Sequence, residues 1–508
     1  MTPRDLAELA GPRGVVEIPR TLKDWLGRPK PLLVNGEHTP ARAGGRFVTS
    51  APATEEPLAE VADAGAADVD DAVLGARHAL EKGPWRRMSR TERATILRRL
   101  SALILEKRAD LAILETLDTG KPIRESFDGD IPRAASNFSF FADFAEAEAF
   151  PEFRSGGYRH ETARSPVGVA ALITPWNLPL YLETWKLAPA LMMGNSCILK
   201  PSELTPLTAC YLGELTLEAG LPPGVLQILH GGGKDAAGER LVSHPGVDAI
   251  SFTGETTTGR EIMKAAASGP ARISFELGGK GASLVFADCD VSTAAAQCAR
   301  AAFRNQGEIC LAGPRIFVER PLYAEFRRRF LEQVSALKLG DPLDLATSMG
   351  ALISAEHREK VRSYIDGAPD RSCLLTGGRA ASVAGRGHFF EPTVLEAVPL
   401  DHRISREEIF GPVATLYAFD TEEEAVSAAN STPYGLSASV WTAAEERARR
   451  VSADLDLGLV WINSWFVRDL RVPFGGCKRS GVGREGGRFS LDFFSEWKSI
   501  CHPERGPA

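Results

Sequence analysis

The chain lacks any concentrated block of basic residues. Its net charge is −7 over 508 residues, and its short basic runs, WRRMSR at 85–90 and RRR at 327–329, read as solvated helix faces. No nucleic acid partner is therefore expected. It also lacks an apolar run of the roughly 18 residues a membrane span needs. The opening stretch MTPRDLAELAGPRGVVEIPR has an early acid and no continuous apolar core, so no membrane anchor and no secretory signal are expected, only an extra, mobile N-terminal segment. The 8 cysteines are scattered without a C-x-x-C pair, and the 9 histidines show no H-x-x-x-H spacing. A disulfide framework or a metal site is not expected, and the compartment implied is reducing, the cytoplasm.

What remains is an ordinary globular composition, 44% apolar and 25% charged, in a chain too long for one core. Residues 66–144 carry helical spacing in stretches such as TERATILRRLSALILEKRADLAILETLD. From 166 onward, short continuous apolar runs alternate with helical segments: VGVAALI, SCILK, GVLQILHG and DAISFTG. That texture predicts a parallel sheet covered on both faces. A second series, from RISFELGG near 272 through ASLVFAD, RIFVER, PVATLYAF, SASVWT and LGLVWIN, predicts another α/β unit. Around Gly-Gly, AFPEFRSGGYRHETARS (149–165) alternates like a hairpin, with the C-terminal SEWKSICH as its expected partner strand. Such exposed edges are naturally covered by a second copy of the chain, as a homodimer or homotetramer.

Candidate sites fall where predicted strands end. In TPWNLP (174–179), the amide of Asn177 could face a developing oxyanion, or the two prolines and Asn could simply build a turn. In LKPSE (199–203), Lys200 and Glu203 could hold a ribose, or Ser202 and Glu203 could open a helix. SFTGETTTG (251–259) offers Gly254 and a helix N-terminus to phosphate, although its spacing is not the usual dinucleotide fingerprint. HGGGKDAAG and ELGGKG do not complete a phosphate-binding P-loop, so a nucleoside-triphosphatase is rejected. Glu276 in ELGGK could be a general base. Cys310 in RNQGEICLAGPR could be a nucleophile or a structural thiol, and spacing alone leaves this open.

Taken in order, TPWN, KPSE, FTGETTTG, FELGGK, NQGEIC, EEIFGPV and PFGGCKRSG resemble the aldehyde dehydrogenase superfamily over roughly residues 30 to 505. The segments LDTGKP, DIPR, FTGET, WFVRDLRVPFGG and GREGG are similar to its 2-aminomuconate and 2-hydroxymuconate semialdehyde dehydrogenase branch. The resemblance implies that Cys310 attacks an aldehyde as thiolate. Asn177 and the Cys310 amide would hold the oxyanion, each such donor being worth about 3 kcal/mol. Hydride would pass to NAD, and Glu276 would activate water to release the acid. Ile173, Pro175, Trp176, Lys200 and Glu203 would line the adenosine side. Gly254 and Glu255 would lie by the pyrophosphate, although a carboxylate at 255 cannot donate to phosphate. Glu408 would bind the nicotinamide ribose.

The same resemblance implies that Arg133 and Arg468 hold a substrate carboxylate by guanidinium pairing. The alternative is a salt bridge, for instance from Arg468 to Asp469, with Arg471 as a rival arginine. Leu178, Trp185, Trp465 and Phe474 would wall a pocket for a flat conjugated chain. The fold class implied is α/β in several parts: an N-terminal extension (1–30), a Rossmann-like NAD-binding domain (31–145 and 166–275), a catalytic domain (276–478) and a small β oligomerisation arm (146–165 and 487–508). The expected function is NAD-dependent oxidation of a carboxylate-bearing conjugated semialdehyde. The alternatives are another acidic semialdehyde, a biosynthetic aromatic aldehyde, or a non-catalytic protein keeping the same fold.

Overall fold

A computed structural model describes residues 6–233, 236–267 and 269–504. Lys234 and Asp235 of the HGGGKDAAG stretch lie outside the described residues. The first sheet has eight strands. Its central five are Leu226–Ile228, Ser196–Lys200, Val169–Ile173, Ala249–Thr253 and Arg272–Glu276, in that spatial order, and all five are parallel. Every residue of Val169–Ile173, Ser196–Lys200 and Ala249–Thr253 is buried, which is why these runs are mostly apolar instead of alternating, with Ser196, Lys200, Ser251 and Thr253 as buried polar exceptions. Chain order reverses between the neighbours Val169–Ile173 and Ala249–Thr253. Open α/β sheets bind ligands at such a switch point, beyond the carboxyl ends of the strands.

Antiparallel strands close both sides: Leu32–Val34 with Glu37–Thr39 on one, and Gly481–Val482, from far along the chain, on the other. The apolar-run reading grouped Arg272–Glu276 with the second series. It instead pairs in parallel with Ala249–Thr253, so Glu276 ends a strand of the first sheet. A five-residue run declares that it is a buried strand but not which sheet takes it.

The second sheet contains six parallel strands, in the spatial order Thr393–Glu396, Val413–Phe419, Arg315–Glu319, Ala282–Val285, Ser437–Trp441 and Leu459–Ile462, with Leu374–Thr376 antiparallel at one edge. Helix Pro179–Met192 is buried at every position. Helix Arg90–Glu106 opens on a capping box in which Ser89 accepts from the Glu92 amide and Glu92 accepts from the Ser89 amide.

The N-terminal segment, expected to be mobile, is packed down in its described part. Leu6, Val16 and Leu22 are buried, and the Val16 amide donates to the Leu343 carbonyl at 2.9 Å. The hairpin Glu152–Ser155 and Tyr158–Pro166 pairs with Ser495–Pro503 over nine residues. Phe153, Tyr158 and Trp497 stand exposed on this three-stranded arm. No helix among the described residues is long and apolar enough to cross a membrane.

Candidate active site

Cys310 and Asn177 stand on loops attached to different sheets, and hydrogen bonds between Asn177 and the residues just ahead of Cys310 tie those loops together. Ahead of the cysteine, Asn305, Gln306 and Gly307 all adopt left-handed conformations, with φ of 49°, 54° and 75°. Asn tolerates this region and Gly is free in it, but Gln is strained. The surroundings over-determine the turn. Gln306 Nε2 donates to the Ala351 carbonyl at 3.1 Å, and Asn305 Nδ2 donates to the Asn177 and Glu308 carbonyls at 3.2 and 3.1 Å. A Cβ at Gly307 would lie 2.3 Å from the Gly411 carbonyl oxygen. The Asn177 amide donates one N–H to the Glu308 carbonyl at 2.8 Å, which leaves its second N–H available.

Beneath this loop lies a buried charge cluster that the sequence reading did not assign. Lys121 Nζ donates to the Asn177 carbonyl at 2.9 Å, to Asp130 at 2.8 Å and to Glu115 at 3.3 Å. Lys121 belongs to LDTGKP, noted above as a motif without a role. Lysine after Gly in a loop reads as solvated, and only the fold turns it inward.

Glu276 is buried, and neither carboxylate oxygen has a hydrogen-bond partner among the described residues. Burial, then the Glu485 carboxylate, raise its pKa well above the usual range, against Lys186, Arg468 and Arg484. A Cβ at Gly475 would meet Glu276 Oε1 at 2.7 Å. Glu485 itself accepts from Lys186 Nζ at 2.9 Å, from Ser251 Oγ at 3.2 Å and from the Trp185 indole. It lies in GREGG, another motif read without a role. The Cys310 thiol is pushed up to about 12, first by burial and then by the Glu408 and Glu276 carboxylates, with Arg468 opposing. These are the groups close enough to perturb one another: Cys310, Glu276, Glu408 and Arg468 share one environment.

At the switch point, Thr174, just after one central strand, and Thr253, the last residue of the other, carry buried hydroxyls without a partner among the described residues. Helix Thr256–Ala266 begins without a side-chain cap, so Glu255 leaves its first-turn amides open. The Gly254 amide is already spent on the Glu276 carbonyl at 3.0 Å. Lys200 is buried with Nζ 3.8 Å from the half-exposed Glu203 carboxylate, which sets a donor and an acceptor side by side beyond the strand end. Ile173 is buried at the strand end, one residue before Thr174 and two before Pro175. Trp176 packs between His357 and Phe410, with ring centroids 5.4 and 5.2 Å away, at the seam toward Glu408. Glu408 Oε1 accepts from the Gly279 amide at 2.8 Å, and a Cβ at Gly278 would come within 2.1 Å of its other oxygen. These residues fit a dinucleotide.

Arg468 lies 3.9 Å from the Trp185 ring centroid and 4.0 Å from that of Phe474. It donates through Nη1 to the Tyr181 hydroxyl, while Nε and Nη2 are buried without a partner among the described residues. The salt-bridge alternative fails here: Asp469 pairs with Arg471, whose side chain is 70% exposed. Arg133 lies 5.9 Å from the Tyr181 ring centroid and Arg468 lies 5.6 Å from it, so the two arginines flank one tyrosine. Leu178 packs with Tyr181 in a small buried cluster, and buried Trp465 donates to the Leu311 carbonyl at 2.9 Å, next to Cys310.

Two α/β units meeting over a cysteine, a carboxamide and a dinucleotide crevice define an oxidoreductase acting on a carbonyl. Residues 39–500 match the aldehyde dehydrogenase family, and the chain belongs to it. It is 47% identical over 478 residues to the 2-hydroxymuconic semialdehyde dehydrogenase of Pseudomonas sp. (strain CF600), covering 92% of this chain and 98% of that one. It is 44% identical to a 2-aminomuconic 6-semialdehyde dehydrogenase of Pseudomonas sp., covering 85% and 90%. Among solved structures, the NAD+ complex of an aldehyde dehydrogenase from Bacillus cereus superimposes with a TM-score of 0.94 at 37% identity, covering 97% of this chain and all of that one. The chain is an NAD-dependent aldehyde dehydrogenase.

Proposed function

We propose that the enzyme oxidises a conjugated semialdehyde bearing a carboxylate, of the 2-hydroxymuconate or 2-aminomuconate type, to the corresponding acid. The observation that carries this reading is Arg468: a guanidinium stacked between aromatic rings with two buried N–H-bearing nitrogens and no partner for them. An unpaired buried donor is costly, and a planar carboxylate on a flat chain supplies the matching fork. Arg133 flanks the same tyrosine and adds a second cation.

In this reading, Cys310 gives up its proton to solvent and its thiolate Sγ attacks the aldehyde carbon, forming a thiohemiacetal. The free Asn177 N–H and the Cys310 backbone amide hold its oxygen as charge develops there. NAD, when bound, supplies the hydride acceptor. The resulting thioester on Cys310 is hydrolysed by water that gives its proton to Glu276. That carboxyl must first ionise, and Lys186 and the arginines around it favour the charged form. Ile173, Pro175, Trp176, Lys200 and Glu203 border the adenosine end, and Glu408 holds the nicotinamide ribose.

The exposed aromatic residues of the arm are covered by a second copy, in a homodimer or homotetramer. All eight cysteines are free, as suits the cytoplasm. The test is NADH formation with 2-hydroxymuconate semialdehyde beside a neutral aliphatic aldehyde. Efficient turnover of the neutral aldehyde with none of the semialdehyde would remove the substrate assignment.

A further inference from the structure

A cavity of about 540 Å³ opens between the helical segment 123–130 leading into helix Ile131–Glu146, the C-terminal half of helix Val291–Phe303 and the end of helix Arg320–Ser335. Four arginines line it, Arg124, Arg133, Arg300 and Arg304, against two acids, Glu125 and Asp128. Both acids are engaged: Glu125 with Arg304 at 3.4 Å, and Asp128 with Arg108 at 3.2 Å. Arg124 donates to the Leu345 carbonyl at 2.9 Å. The guanidiniums of half-buried Arg133 and of Arg300, which is exposed to solvent, make no hydrogen bond and no ion pair with any described residue. Their guanidiniums rest on aromatic rings instead, Arg133 4.5 Å from the Phe466 centroid and Arg300 5.9 Å from that of Trp465.

Phe466 connects this cavity to the substrate pocket. It stacks on Trp465 at 4.9 Å, and Arg304 lies 5.2 Å from its ring. Its other surroundings are the small space lined by Arg468, Trp461 and Phe474. It also holds a left-handed φ of 63°, strained for a bulky residue and of the kind kept at functional sites. Cations at the end of a helix can complement its dipole, which accounts for Arg300 but not for Arg133 facing it. Burial and the neighbouring guanidiniums lower the basicity of both. The volume is that of a small-molecule site, more than a lone ion needs.

We propose that this cavity is a second anion subsite, which receives a further carboxylate carried on the semialdehyde, so that the enzyme favours substrates with two carboxylates over one. The inference rests on Arg468 anchoring the first carboxylate. In it, Arg300 and Arg304 bind the outer group, with Arg133 shared between the two sites. Arg300 is a specificity-determining residue.

The test compares kcat/KM for a ring-cleavage semialdehyde with one carboxylate and for its carboxy-substituted homologue, in wild type and Arg300→Ala, with Arg300→Gln as the second variant should the first fail to fold. The wild type is expected to favour the doubly charged substrate by about tenfold or more, in line with one added charge-assisted contact. Arg300→Ala removes most of that preference and costs the singly charged substrate less than about twofold, while Arg300→Lys restores part of it. The proposal is overturned if the wild type has no preference, or if Arg300→Ala lowers both substrates equally. It is also overturned if the preference survives Arg300→Ala and vanishes in Arg468→Ala; that outcome leaves the first anchor intact.

If wild type instead turns over neutral and charged aldehydes equally, the substrate reading fails first. Competition by adipate and tricarballylate against a neutral aldehyde then decides the outer site alone. Stronger inhibition by tricarballylate that is lost in Arg300→Ala supports it, and equal inhibition by the two acids sinks it.

Discussion

Replacing Arg468 by Ala isolates the carboxylate anchor. Two of the three guanidinium nitrogens are buried without partners, and a bidentate carboxylate satisfies both. Each hydrogen bond to a charged group contributes about 1.5–3 kcal/mol. Because the two share one desolvation, a combined loss of about 3 kcal/mol is reasonable, roughly a 150-fold fall in kcat/KM. A neutral aldehyde loses only the packing of the guanidinium on Trp185 and Phe474 and the bond to the Tyr181 hydroxyl. That cost falls on the pocket and changes its kcat/KM by only a few fold. Arg468→Lys keeps the charge as a mobile point and should recover about tenfold for the acid. The assay is the initial rate of NADH formation with 2-hydroxymuconate semialdehyde and with hexanal, for wild type and both variants. Equal losses on the two substrates would refute the reasoning, as would full recovery by Lys, since either means that the fork geometry does not matter.

Asn177→Ala removes one oxyanion donor and should lower kcat by about 100-fold with KM nearly constant; a fall below threefold rejects the role. Glu276→Gln should give a burst of NADH and then stall at the thioester, visible by stopped flow, and lose the rise of kcat with pH that wild type shows as its buried carboxyl ionises. Because the folded pKa of Glu276 lies above that of the unfolded chain, wild type sheds stability as pH climbs from about 4.5 through the folded value. The Gln variant's advantage in Tm should therefore widen from acid to alkaline pH in calorimetry, and a gap independent of pH contradicts the burial argument. Lys121→Met leaves Glu115 and Asp130 buried without their cation and should cost about 3 kcal/mol or more in denaturant unfolding; unchanged stability would place the charge cluster outside the folding energetics.

Much of the fold was legible because its physics is local. Val169–Ile173, Ser196–Lys200 and Ala249–Thr253 are buried on both faces, and a strand buried on both faces must be apolar at consecutive positions. The hairpin at 152–166 announced itself by alternation around Gly156 and Gly157, both with positive φ. The sheet membership of Arg272–Glu276 was not legible, since choosing between two parallel sheets depends on helices packed from elsewhere. Nor was the docking of Val16 against Leu343, a contact between distant segments that leaves no periodic trace.

The site divides along the same line, and charge makes the division sharpest. Asn177 and Glu276 could be proposed because each stands in a short stretch beside a predicted strand end, whereas Cys310, which follows a helical run, took its role from the family resemblance alone. Their properties could not. A thiol pushed up to about 12 and a carboxyl without a partner both follow from removing water, and dehydration is a collective result of packing. The same packing turns Lys121 inward, joins Glu485 to Lys186 across 299 residues, and leaves Arg468 without an ion pair to any described acid while giving Asp469 to Arg471. In sequence, Arg468 and Arg471 flank the same aspartate and are equivalent candidates. In the fold one is neutralised at the surface and the other keeps an unspent charge beside the cysteine. A bound anion can lower its energy only beside the second, which is why the substrate's charge is read from an unsatisfied guanidinium and not from the abundance of arginine.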